Sequence, residues 1–223
     1  MATPIRPPLR IAHRGMPRLA RENTLASFAL ALDAGADGIE LDVHATADGV
    51  VVVHHDPALA NAAVISELSH RQLLGETWEA SQIPTLRDVC ELVRGRAELF
   101  VEIKGDGIER LVTAVLAGYD GPCAIHSFDH ALIQRLARGG TSHRLGILCE
   151  ETDADPLAIM ASHGALDLWP HHPLVTRVLV DDVHSIGGRV IPWTVNELSD
   201  ALRLSALRVD GICTDDVSIL PSA

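Results

Sequence analysis

Short runs of β-branched and aliphatic residues recur eight times along this chain, and stretches with the 3.6-residue period of a helix separate them. The runs cover residues 9–13, 38–43, 99–103, 123–127, 145–149, 166–169, 190–194 and 211–214. After the first, Leu25, Phe28, Ala29 and Leu32 share one helical face behind Asn23 or Thr24 as N-cap, and Gly35 closes the segment. Leu86, Val89, Cys90 and Val93 repeat that spacing behind Thr85, and Ile108, Leu111, Val112, Val115 and Leu116 do so further on. Strands alternating with helical connections eight times predict the α/β class, a TIM (β/α)8 barrel, with residues 1–223 as a single domain. The rival is an open doubly wound sheet, and the lack of a Gly-rich phosphate loop after the first strand counts against it.

One more β-rich run, 50–55, follows the second strand across only Ala47-Asp48-Gly49. A parallel crossover needs about a dozen residues, so this run must turn back antiparallel through the Asp-Gly turn. It predicts a hairpin arm that carries His54, His55 and Asp56 to the barrel rim. Residues 57–83 show little periodicity and read as a small insertion.

Composition narrows the partners. Asp and Glu number 30 against 18 Lys and Arg, for a formal net charge of −12, which argues against nucleic acid or an anionic membrane as partner. Aromatic residues, at 3 %, are too sparse for a base-stacking platform. An anionic small molecule remains compatible where a metal supplies positive charge locally. Cys90, Cys123, Cys149 and Cys213 form no C-x-x-C pair and read as buried free thiols. The Pro- and Arg-rich first ten residues lack the apolar core of a signal peptide, and no run reaches the ~18 apolar residues of a membrane span. The expectation is a cytoplasmic enzyme without membrane insertion; the sequence does not define its oligomeric state.

Charged residues interrupt two of the apolar strands near their C-terminal ends, where TIM barrels carry their reactive groups. Glu40 and Asp42 flank Leu41, and Glu102 and Lys104 flank Ile103, so alternation puts each pair on one face. Helices cover the outer face, so all four side chains must point into the barrel mouth. Converging carboxylates repel unless something neutralises them. A hard divalent cation would do so, and all-oxygen ligands favour Mg²⁺, Ca²⁺ or Mn²⁺ over Zn²⁺. The alternative is a salt-bridge network centred on Lys104, whose single charge cannot balance three carboxylates. His13 ends the first strand beside Arg14, a pairing suited to proton transfer next to a gripped phosphate. Among the remaining histidines, His44, His54 and His55 compete for a partner role, and periodicity does not choose between the last two.

These residues fall into a known pattern. His13-Arg14-Gly15, Glu22-Asn23-Thr24, Glu40-Leu41-Asp42-Val43, Asp48-Gly49 and His55-Asp56 are followed by Ile83-Pro84-Thr85-Leu86 and Val101-Glu102-Ile103-Lys104. Ser127-Phe128, Trp193-Thr194-Val195-Asn196 and Asp210-Gly211-Ile212-Cys213-Thr214-Asp215 complete the series. In this order and over nearly the whole chain, the motifs resemble those of glycerophosphodiester phosphodiesterases. The resemblance implies Glu40, Asp42 and Glu102 as metal ligands, His13 and His55 as an acid–base pair, and Arg14 and Lys104 as phosphate contacts. It selects His55 over its neighbours, gives Glu22 a place at the rim, and suggests Trp193 as a wall of the glycerol pocket. It further implies metal-dependent hydrolysis of a small glycerol phosphodiester to glycerol 3-phosphate and an alcohol. Two other readings are a lysophospholipase D-like action on long-chain substrates and a non-catalytic phosphate-binding module. One departure stands out. The Arg-Thr-Thr that usually follows His-Asp is replaced by Pro57-Ala58-Leu59-Ala60-Asn61-Ala62-Ala63, which leaves the leaving-group pocket undefined.

Overall fold

A computed structural model describes residues 7–151 and 155–220; the first six residues of the Pro- and Arg-rich start lie outside it. Strands β1 (Leu9–His13), β2 (Gly38–Ala45), β4 (Glu98–Ile103), β5 (Cys123–Ser127), β6 (Arg144–Cys149), β7 (Asp167–Pro170), β8 (Arg189–Val190) and β9 (Gly211–Thr214) pair in parallel in the order β8-β7-β6-β5-β4-β2-β1-β9. Backbone hydrogen bonds cross the remaining seam, from Asp210 N to Val190 O at 2.9 Å and from Cys213 N to Pro192 O at 3.0 Å. A TIM barrel results, as the alternation predicts. β3 (Val51–Val53) is the hairpin arm, antiparallel to Val43–Ala45. Its turn is set by Gly49 at φ 79° and by Thr46, whose hydroxyl donates to Asp48 at 2.6 Å.

Two elements differ from expectation. The run 190–194 is a strand only at residues 189–190, because Pro192 has no N–H to offer a ladder; the chain stays extended through single bonds such as Ile191 N to Leu168 O. Residues 57–83 are more ordered than their lack of period suggests. They hold α2 (His70–Glu76), opened by a Ser69/Gln72 capping box, and single 3₁₀ turns at Ile65–Glu67 and Ala80–Gln82. Leu59, Ile65, Leu73, Ala80 and Ile83 pack with Val52 in a small core of their own. A helix of two turns that buries only Leu73 carries too few apolar positions for a 3.6-residue period to appear.

Helices α1 (Leu25–Asp33), α3 (Leu86–Val93), α4 (Glu109–Leu116), α5 (His130–Arg138), α6 (Pro156–His163), α7 (Arg177–Ser185) and α8 (Leu198–Ala206) fill the connections. Thr24, rather than Asn23, caps α1, accepting from Ser27 N. Thr85 caps α3 in a capping box with Asp88. Outward strand residues pack with these helices in the main core, whereas Ile11, Phe100, Ala124, Leu148, Trp169, Ile191 and Cys213 fill the barrel interior. The N-terminal mouth is closed by Arg189, which pairs with Asp167 at 2.6 Å and Glu98 at 3.0 Å and lies over the Phe100 ring. That plug leaves the C-terminal end as the open face.

The four thiols are free; Cys90 and Cys213 are buried, whereas Cys123 and Cys149 are only partly so, since Cys123 begins β5 and Cys149 ends β6 rather than filling the middle of a strand. Burial pushes the Cys90 thiol up to about 11, far from a nucleophile's range. No helix of the described residues is long and apolar enough to cross a membrane.

Candidate active site

β1 delivers His13 and then breaks sharply. Arg14 and Gly15 both adopt positive φ, 54° and 90°. A Cβ on Gly15 would stand 2.4 Å from Ser27 Oγ, the group that accepts from Met16 N at 2.7 Å. Glycine is therefore required twice over, by conformation and by space. Gly15→Ala should lower stability by about 2–4 kcal/mol through strain and overpacking, read as a lower urea midpoint at unchanged slope. A loss below about 0.5 kcal/mol would mean the turn relaxes freely.

The tight turn brings the next motif over the barrel mouth, and each of its residues acquires a partner. Glu22 takes the Arg14 guanidinium at 3.1 Å, and Asn23, at φ 56°, donates to Asp42 Oδ2 at 2.9 Å. Register does the rest: His13 lies beside Glu40, Asp42 beside Glu102, and Glu102 beside His126. Arg14 N donates to Glu40 Oε2 at 3.2 Å. Asp42, fully buried, has Arg14 Nε at 3.0 Å and Lys104 Nζ at 3.3 Å. Lys104 also meets Glu102 at 2.7 Å. The lysine bridge weighed from the sequence thus exists, but it does not satisfy the cluster. Arg14 Nε, facing Asp42 Oδ2, and Asp42 Oδ1, facing Lys104 Nζ, are each buried and close enough to attract, yet neither contact is oriented as a hydrogen bond.

Electrostatics report the same deficit. Burial, and then Asp42, push the Glu102 carboxyl up to about 8, the direction expected of a buried acid short of positive charge. Burial alone would also raise Asp42, but Arg14 and Lys104 outweigh it and hold that carboxyl below its ordinary value. Glu40, Glu102 and His126 place ligand atoms within 4.8 Å of one another, all buried. Two carboxylates and an imidazole left short of positive charge fit a divalent cation by donor chemistry.

A cavity of about 250 Å³ opens above this cluster, lined by His13, Arg14, Glu40, His55, Glu102, Lys104, His126, Phe128, Trp193 and Thr194 among others. Both histidines singled out by the resemblance therefore face one space. His13 Nδ1 is 2.7 Å from Asp215 Oδ1, and Asn196 donates to the other Asp215 oxygen at 2.7 Å. Burial would lower the His13 imidazolium, yet the Asp215 bond and the Glu40 charge outweigh it and hold the group above its ordinary value. His55 Nδ1 is 2.8 Å from Asp56 Oδ1. His44, kept neutral by burial, uses Nε2 to hold the His55 carbonyl at 3.0 Å, and His54 turns aside to Asp56 O. Neither His44 nor His54 lines the cavity. Trp193 stands edge-on to Phe128, with ring centroids 5.4 Å apart.

Sequence reasoning passed over several of these groups. Asp215 and Asn196 were visible only as members of the last motifs, without a task. His126 is assigned nothing by the motifs, although a polar residue inside the apolar run 123–127 is the available signal. Asp42, counted with Glu40 and Glu102, lies in the cluster but outside the trio of closely spaced ligand atoms.

Comparison with known proteins agrees with the motifs. A model of the glycerophosphoryl diester phosphodiesterase family matches residues 13–219. A glycerophosphodiester phosphodiesterase of Caldanaerobacter subterraneus subsp. tengcongensis is 32 % identical over 95 % of this chain and 96 % of its own. An Oleispira antarctica phosphodiesterase, solved in complex with the product sn-glycerol-3-phosphate, is 26 % identical with a TM-score of 0.85, covering 96 % of this chain and 95 % of that one. The glycerophosphodiester phosphodiesterase of Thermotoga maritima gives 26 % identity and a TM-score of 0.81 over 95 % and 96 % of the two chains. With barrel, motif order and family match in agreement, the chain belongs to the glycerophosphoryl diester phosphodiesterase family and is an enzyme of that class.

Proposed function

We propose that this chain, working as one domain, hydrolyses small glycerophosphodiesters to glycerol 3-phosphate and an alcohol, with a divalent cation held by Glu40, Asp42 and Glu102. The observation that carries the reading is the shared cavity. Two imidazoles, each tied through Nδ1 to a carboxylate, face a cluster of acids and two cations in a space suited to a small ligand. When bound, the cation, Mg²⁺, Ca²⁺ or Mn²⁺ by ligand hardness, lowers the nucleophile's pKa and offsets charge developing at phosphorus. Asp42 offers Oδ1, which is free of hydrogen bonds, by giving up its Lys104 contact. Arg14 and Lys104 then bind the non-bridging phosphate oxygens, for which a guanidinium fork and a point charge are both suited.

His13 is the proton donor to the leaving alkoxide. Asp215 fixes its Nδ1, leaves Nε2 for the transfer, and favours the charged ring. His55, held by Asp56 and by His44 through its carbonyl, removes the nucleophile's proton. Trp193 and Phe128 form an apolar wall for the carbon skeleton of the glycerol.

A panel of glycerophosphodiesters assayed for released glycerol 3-phosphate tests the reading. Turnover of at least one member with a free glycerol moiety is expected, and no release from any of them would reject it. One observation favours a second reading, action on long-chain substrates. A groove of about 330 Å³ shares Phe128, Leu148 and Glu150 with the cavity and continues to Pro156 and Ile159. By contrast, the cleft beside the insertion is bordered mainly by polar groups, Arg21, Glu22, Asn23, His54 and Asp56. A rate that rises with acyl-chain length would favour the second reading.

A further inference from the structure

His126 carries no step of the reaction proposed above. Its side chain is 1 % exposed, and Nδ1 is buried without a hydrogen-bond partner. Nε2 stands 3.6 Å from Glu40 Oε1, beyond hydrogen-bond reach. A buried imidazole left in this way is costly unless another group engages it.

The ring is nevertheless held with care. It stacks on Trp169 with centroids 4.2 Å apart and planes 9° from parallel. Trp169 in turn lies across Gly146, where an added Cβ would meet the indole Nε1 at 2.9 Å, and packs edge-on against Phe100 at 5.3 Å. The absence of a side chain at 146 thus seats the tryptophan, and the tryptophan fixes the plane of the histidine. The parallel register of β4 and β5 sets its height, because Glu102 and His126 are direct neighbours. The ligand atoms of Glu40, Glu102 and His126 all fall within 4.8 Å of one another. One ion bound at about 2.0–2.3 Å from each ligand spans nearly that distance.

We propose that His126 is a direct nitrogen ligand of the cation, beside Glu40 and Glu102. The inference rests on the metal-dependent reading above and changes what that reading says about the metal. Three carboxylates alone favour hard ions. An imidazole in the same site moves preference toward Mn²⁺ or Zn²⁺ and away from Mg²⁺ and Ca²⁺. Glu102 reaches the ion from its own strand, and His126 reaches it from the neighbouring one.

The test reads the ligand rather than the activity. The full-length enzyme is stripped by chelation and loaded with one equivalent of Mn²⁺, and its electron spin echo modulation is recorded for ¹⁴N coupling. Coupling from a coordinated imidazole is expected in the wild type, retained in His13→Ala and His55→Ala, and lost in His126→Gln. Retention in the first two variants carries the assignment even if His126→Gln does not fold. Where it folds, His126→Gln should weaken Mn²⁺ and Zn²⁺ about 10–100-fold and Mg²⁺ less than about threefold. Bound Mn²⁺ without nitrogen coupling, or coupling that disappears with His13 or His55, overturns the role of His126 alone. If none of these ions binds, the metal-dependent reading falls with it.

Discussion

His13→Ala and His55→Ala should each lower turnover by about 10²–10⁴-fold while leaving the fold and the cation affinity intact, because each removes one proton-transfer group and neither touches the acidic cluster directly. The two losses should not add, since acid and base serve the same step. Asp215→Asn offers a finer reading of the first. Burial works against the His13 imidazolium, and the Asp215 bond outweighs it only together with the Glu40 charge. With a neutral amide in its place, His13 must titrate at lower pH. A general acid is active only while protonated, so the basic limb of the rate profile should move toward acid in Asp215→Asn. The measurements are kcat for the alanine variants and the pH profile of kcat for Asp215→Asn. Near-wild-type turnover in either alanine variant, or a basic limb that stays in place, would remove His13 or His55 from the assigned role.

The second large effect is metal removal. Chelation should abolish turnover and added divalent cation should restore it, because positive charge at the cluster is short by the measure of Glu102 itself. That carboxyl is raised from 4.5 to about 8, by burial first and Asp42 second. The sign follows directly. In the metal-free protein the folded state holds a proton between about pH 4.5 and 8 that the unfolded chain has released, so this group makes stability fall as pH rises through that window. Cation binding must displace the same proton. Apparent affinity should therefore tighten by about tenfold per pH unit from roughly pH 6 and level off above about 8. Titration calorimetry in buffers of different ionisation enthalpy counts the released proton, and melting curves of chelated protein check the stability trend. An affinity that is flat from pH 6 to 8 would mean that Glu102 is already ionised, and the cluster would not require the ion.

Local rules made much of this legible. A period of two along a strand puts Glu40 with Asp42, and Glu102 with Lys104, whatever the rest of the chain does. The short gap before residues 50–55 forces a hairpin, because no parallel crossover fits within it. Eight alternations leave few topologies other than a barrel, and a barrel assigns inward strand ends to its mouth. Each of these inferences uses only neighbours in the chain.

Tertiary structure decided what lies across strands and loops. Glu102 meets His126 through the register of β4 and β5, and His13 meets Asp215 across 202 positions of sequence. His55 rather than His54 faces the cavity because of how the arm is held, with His54 N bonded to Asp42 O and the His55 carbonyl taken by His44. The sequence leaves the α1 cap open between Asn23 and Thr24; Thr24 takes it, and the left-handed backbone of Asn23 turns its amide to Asp42. The physical reason is common to all of these. Propensity and periodicity are set by covalent neighbours, whereas the pairing of buried polar groups depends on how whole strands are aligned, and that alignment minimises a sum over the entire core rather than over any one segment.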